Sequence, residues 1–162
     1  MALIDQALEV EKKAYAEKKK IADNEVEIAL KNTLTQIKEE GYNFKDIAIL
    51  APTRGGMYSN GSNGLCFVTN ILTKLGYKFK QWYEEADDIN SQIKYQPIDG
   101  HINILTYMGS KGLEWDIVIV MDAEVCLINK NIFNIEKHNY DRYLLYVACS
   151  RAVEHMIIFS KF

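Results

Sequence analysis

Two stretches of this chain gather residues able to do chemistry. The first is Thr106-Tyr107-Met108-Gly109-Ser110-Lys111-Gly112-Leu113-Glu114-Trp115-Asp116. Its Ser and Gly residues let backbone N–H groups approach an anion closely. Lys111 adds a cation, and Glu114 can accept hydrogen bonds from a sugar hydroxyl. The same composition suits a plain turn, so on these residues alone a ligand loop and a turn both stand open. The second stretch is Asp141-Arg142-Tyr143-Leu144-Leu145-Tyr146-Val147-Ala148-Cys149-Ser150-Arg151-Ala152. An apolar helix ends there in Ser-Arg. Arg142 and Arg151 are nine residues apart, about two and a half turns, which puts them near opposite ends of that helix. A guanidinium at the C-terminal end meets the negative end of the helix dipole. Spacing alone leaves open whether it does more.

The elements that must position these stretches read as alternating strands and helices. Val26, Ala29, Leu30, Thr33, Leu34 and Ile37 recur at three- and four-residue steps and predict an amphipathic helix. Asn24 with Glu27 predicts its N-terminal capping box, and Gly41 its stop. Ile47-Ala48-Ile49-Leu50 reads as a buried strand ended by Pro52. Residues 53–64, with Gly55, Gly56, Gly61 and Gly64, read as a loop. Residues 65–75 predict a second helix stopped near Gly76, and Lys78–Tyr83 a strand. Residues 86–100, with Pro97 and Gly100, read as a connector. Ile102–Tyr107, Asp116–Asp122 and Met156–Phe159 predict three more strands, with helical spacing over Asp141–Ala152. Trp115, entering a strand, reads as core packing, although exposed aromatics also stack on bases in single-strand tracks. Continuous apolar strands alternating with amphipathic helices predict an α/β fold, a parallel sheet covered on both faces. Ligands of such sheets gather at the carboxyl ends of strands, where the loops after Leu50 and after Tyr107 are expected.

The bulk composition sets bounds on these readings. With 162 residues, 48% hydrophobic and 25% charged, the chain can build one domain with a real core. Residues 1–22 are set apart: Lys12, Lys13, Lys18, Lys19 and Lys20 alternate with Glu and Ala. They read as a solvated helical arm or linker. Apolar runs such as Ile117–Met121 are far too short to span a bilayer, so no membrane partner is expected. Asp5 interrupts the N-terminal apolar stretch, against a signal peptide. Cys66, Cys126 and Cys149 form no CxxC pair, and their odd number points to a reduced, cytoplasmic setting. The net charge of −3 argues against a broad basic nucleic-acid face and leaves room for a narrow track.

Taken together, the two chemical stretches resemble a known family. Thr106–Asp116 resembles motif V of the UvrD/Rep/PcrA-type superfamily 1 helicases, written TxHxxKGLE and followed by an aromatic residue. Tyr140–Ala152 resembles their motif VI, in which acidic and Arg residues precede Leu, Tyr-Val and Thr/Ser-Arg-Ala. Residues 23–50 are similar to the lead-in, where Asn-Glu opens a helix and Gly-Tyr precedes Asp-Ile-Ala-Ile-Leu. The resemblance covers about residues 23–160. It implies a three-layer RecA-like domain with a mostly parallel sheet, spanning 23–162: the second motor domain of an ATP-dependent 3′–5′ DNA helicase. It implies that Arg151 is an arginine finger reaching the γ-phosphate of ATP held with Mg2+ by an N-terminal motor domain. It further implies that Glu114 contacts the ribose, that Gly112 lets backbone approach the nucleotide, and that Thr106 and Met108 face single-stranded DNA.

The chain departs from the family pattern at three places. Met108 stands where the family commonly has His. Pro52 stands where motif IV places an Arg, and Arg54, two residues later, either substitutes as a phosphate contact or faces solvent. Tyr143 replaces a second Arg of motif VI. No GxxxxGK[ST] string occurs, so the chain by itself is expected to be inactive as an ATPase. Asp122 and Glu124 only superficially resemble a magnesium-holding acidic pair, and no metal ligands are assigned. The large insertion normally found between motifs IV and V is reduced to about residues 84–100. The chain thus reads as part of a longer helicase or as a stand-alone remnant. In the second case it would be a non-catalytic module that binds nucleic acid or a protein.

Overall fold

In the computed structural model, residues 2–53, 64–82, 95–127 and 135–160 are described. The chain folds as two units, residues 1–37 and 38–162. The first consists of helix α1, Ala2–Glu39, which ends in the second. Leu30, Leu34 and Ile37 are buried along it, whereas Ile4, Leu8 and Val10 are exposed. The helix has no break at Asn24: the preceding Glu, Ala and Lys residues are strong helix formers, so the expected cap lies inside a continuous helix. Its stop is where the sequence places it. Gly41, at φ +90, bonds its N–H to the Lys38 carbonyl, the left-handed close that glycine permits.

The second unit is built on a sheet of five strands: β1 Ile47–Ala51, β2 Phe79–Gln81, β3 Ile102–Thr106, β4 Trp115–Val120 and β5 Ala152–Ile158. The order is β2-β3-β1-β4-β5, and every pairing is parallel. All five residues of β1 are buried. Since successive side chains point to opposite faces, both faces of the sheet centre are covered. Helices α2 Gly64–Leu75, α3 Ala123–Leu127 and α4 Ile135–Cys149 supply cover. On one face Ala48, Leu50, Val118 and Val120 pack with Cys126 of α3 and Ala148 of α4. Helix α2 lies against β1 and β3 and buries Leu65, Val68 and Leu72.

Asn103 is the one polar residue sunk in β3, and it is fully satisfied. Its amide donates to the carbonyls of Lys45 (2.7 Å) and Ile47 (3.0 Å) and accepts from the Trp82 indole (3.1 Å). It thereby ties the start of β1 to the chain leaving β2.

The α/β class and the parallel sheet are as expected, and the sheet is wholly parallel. Two details differ. The strand expected at Met156 begins at Ala152, and the helix expected from Asp141 begins at Ile135. Arg142 is therefore inside α4 rather than near its start, while Arg151 lies just beyond its end. Helix α3 was not foreseen. Among the described residues no helix is long and apolar enough to cross a membrane.

Candidate nucleotide and nucleic-acid site

The eight residues from Tyr107 to Glu114 join the carboxyl end of β3 to the amino end of β4. They must therefore travel the height of the sheet, roughly 17 Å for a five-residue strand. This corrects the expectation that the whole loop lies at the carboxyl ends: only its first half does. The crossing is anchored from inside. Tyr107 is fully buried, takes the Ala51 carbonyl with its N–H and donates its hydroxyl to the Met121 carbonyl at 2.6 Å. Burial pushes its phenol far above the ordinary range. Ser110, also fully buried, donates its hydroxyl to the Tyr107 carbonyl at 2.7 Å.

At the carboxyl end, Thr106 is half-buried and Met108 is exposed. The Thr106 hydroxyl oxygen accepts the Gly109 N–H at 3.0 Å, closing the short 3-10 turn Met108–Ser110. Its own O–H can still donate, for instance to a phosphate oxygen. A Cβ on Gly109 would stand 3.1 Å from that hydroxyl oxygen, a tight contact.

At the amino end, Gly112 has φ +84 and nothing within 4 Å of where a Cβ would stand. Glu114 is exposed. Next to them lies Arg151, because β4 and β5 are neighbours and Trp115 pairs with Ala152. The Trp115 N–H donates to the Arg151 carbonyl at 3.0 Å. The Arg151 guanidinium donates to the carbonyls of Val147 (3.0 Å) and Leu113 (3.5 Å) and to the Ser150 hydroxyl (3.0 Å). The structure thus brings Arg151 against the Gly112–Glu114 segment. In this state the guanidinium closes the end of α4, where a cation complements the helix dipole. These contacts engage three of the five N–H donors of a guanidinium.

The predicted residues therefore form two groups. Gly112, Glu114 and Arg151 share the amino end, and Thr106 and Met108 share the carboxyl end. Arg54 and the Gly-rich stretch around it lie outside the described residues.

Trp115 is core. It is 4% exposed, donates its indole N–H to the Tyr95 hydroxyl and meets the Tyr95 ring edge-on at 5.8 Å. The acidic pair is structural in part: Asp122, at φ +54, accepts the Gly64 N–H at the start of α2 at 3.0 Å. Near the amino end, burial raises the Asp116 carboxyl, assisted by the charges of Asp46 and Glu154. Burial also raises the Cys149 thiol.

One contact was not foreseen. The Lys111 ammonium sits 5.9 Å from the centre of the Tyr143 ring. The sequence signal was Tyr143 itself, standing where the resembling family has Arg.

Comparison with known proteins bears on the family and the fold. The family described as UvrD-like helicase C-terminal domain matches residues 70–161, a span that includes both chemical stretches. A protein of Acanthamoeba polyphaga mimivirus, named as an ATP-dependent DNA helicase, is 42% identical over 120 residues. That alignment takes in 74% of this chain and 17% of the viral protein, so the chain spans about a sixth of its relative's length. Among solved structures, the C-terminal domain of a possible DNA helicase from Lactobacillus plantarum WCFS1 superposes with a TM-score of 0.50 at 20% identity, over 83% of this chain and 65% of the other. That likeness speaks for the fold.

Proposed function

Because the chain belongs to the UvrD-like helicase C-terminal domain family, we propose that it is the second motor domain of an ATP-dependent 3′–5′ DNA helicase. Residues 23–162 are the RecA-like part and 1–22 a charged helical arm. ATP binds between this domain and an N-terminal motor domain of the same protein, which carries the phosphate-binding loop. Among the described residues no group of three or more His, Cys, Asp or Glu could hold a metal ion. Mg2+ in this reading is held by the ATP phosphates and the other lobe. The setting is cytoplasmic.

The observation that carries the reading is the placement of Arg151 on the Leu113 carbonyl, one residue from Glu114. Two residues far apart in sequence thus reach one end of one strand pair. Arg151 leaves its helix-end contacts to meet the γ-phosphate, where a guanidinium offsets charge developing on the transferring phosphoryl group. Glu114 takes a ribose hydroxyl, Gly112 leaves room for backbone beside the nucleotide, and Arg54 contacts a phosphate. Thr106 donates its hydroxyl to the DNA backbone, and Met108 lies against single-stranded DNA at the other end of the crossing.

The test is Arg151→Ala in the complete two-lobed protein. ATP turnover is expected to fall by about three orders of magnitude or more with nucleotide affinity nearly unchanged, as measured by steady-state kinetics beside equilibrium binding. Undiminished turnover removes Arg151 from the mechanism.

A further inference from the structure

We propose that Lys111 and Tyr143 form a strut that holds the β3–β4 crossing against helix α4, so that its DNA-facing and nucleotide-facing ends move as one piece. The proposal rests on the functional reading above. The two ends of the crossing are already fixed: Thr106 and Tyr107 bond Gly109 and Met121, and the Leu113 carbonyl takes the Arg151 guanidinium. Between those ends lies the exposed turn Lys111-Gly112, closed by the Leu113 N–H on the Ser110 carbonyl at 3.0 Å.

Lys111 reaches from that turn to Tyr143 on α4. Its ammonium stands 5.9 Å from the ring centre, inside the range over which a cation is drawn to an aromatic face. Tyr143 lies on the helix whose end carries Arg151. A shift at the nucleotide end is therefore passed through Lys111 to the middle of the crossing as well as through Leu113 to its end. Lys111 and Tyr143 act through Thr106, Glu114 and Arg151 and are positioning residues.

The test measures ATP turnover of the complete two-lobed protein, with and without single-stranded oligothymidine. The variants are Lys111→Gln, Tyr143→Leu, the two combined, Lys111→Arg and Tyr143→Phe. Lys111→Gln and Tyr143→Leu are each expected to lower DNA-stimulated kcat about two- to fivefold, the range an exposed cation–π contact carries, with KM for ATP little changed. The combined variant should be no worse than either alone, and Lys111→Arg and Tyr143→Phe should keep the stimulation. Losses that multiply in the combined variant, or a Phe variant as poor as the Leu variant, overturn the strut. Arg151→Ala run alongside separates the two claims. If DNA-stimulated turnover survives that change, the functional reading falls and the strut with it. If turnover needs Arg151 but tolerates Tyr143→Leu, the strut alone falls.

Discussion

Along Thr106–Asp116, Tyr107, Ser110 and Trp115 are sunk in the core, while Met108, Lys111 and Glu114 face solvent between them. Along Tyr140–Ala152, by contrast, Val147 and Ala148 are buried, and Tyr140, Tyr143 and Tyr146 stand exposed. The first segment carries Thr106, Met108, Gly112 and Glu114 of the proposed site and the second carries Arg151, and the two are held differently. In the first, each exposed residue is within two positions of a buried one, so the sheet holds its backbone. In the second, burial concentrates in the last helical turn, the turn that delivers Arg151. The crossing is anchored along its length, and the helix is anchored in the turn that precedes Arg151.

The sharpest way to break this comparison is Trp115→Ala. It empties a site that is 4% exposed and removes an indole hydrogen bond and an edge-on ring contact with Tyr95. A loss of about 3–5 kcal/mol is expected, the range for truncating a buried aromatic, read as a lower midpoint in urea unfolding. A loss under about 1 kcal/mol would mean that the crossing is not anchored from inside.

Gly112→Ala should have a middling effect. No atom lies within 4 Å of the added Cβ, so packing contributes nothing. What remains is the cost of holding an L-residue at φ +84, about 1–2 kcal/mol. If a nucleotide backs onto this glycine as proposed, the same substitution also raises KM for ATP in the complete protein. A stability loss with KM unmoved would keep the turn and discard the nucleotide contact.

Much of this architecture was legible in the residue pattern. The run Ile47-Ala48-Ile49-Leu50 announces a strand buried on both faces, because no polar residue interrupts it to mark a solvent side. Gly41 and Gly76 announce helix stops, and both adopt positive φ. The weaknesses lay where local signals compete. Asn24 and Glu27 form a sound capping box, yet the helix formers upstream carry α1 straight through it. Val153, Glu154 and His155 look unlike a buried strand because β5 is an edge strand with an exposed surface. The site residues were legible through motif resemblance, since Lys111-Gly112-Leu113-Glu114 and Ser150-Arg151-Ala152 are recognisable strings. Their division between opposite ends of the sheet was not, because only the strand register reveals that an eight-residue loop runs from one end to the other. The Lys111–Tyr143 contact was hidden for the same reason: thirty-two residues separate the pair in sequence.

The smallest effect is expected at Tyr146→Ala, and it sharpens the contrast from the helix side. Tyr146 is 70% exposed, so its ring contributes little burial, and Ala gains back a few tenths of a kcal/mol in helix propensity. The two terms nearly cancel, and stability should stay within about 0.5 kcal/mol of the parent. The same truncation at Tyr107, fully buried and bonded to the Met121 carbonyl, would cost several kcal/mol. Running both in one urea series compares a tyrosine on the helix with a tyrosine in the crossing directly. A Tyr146→Ala loss above about 1 kcal/mol would place part of the core on the outer face of α4, and the two segments would then be anchored alike.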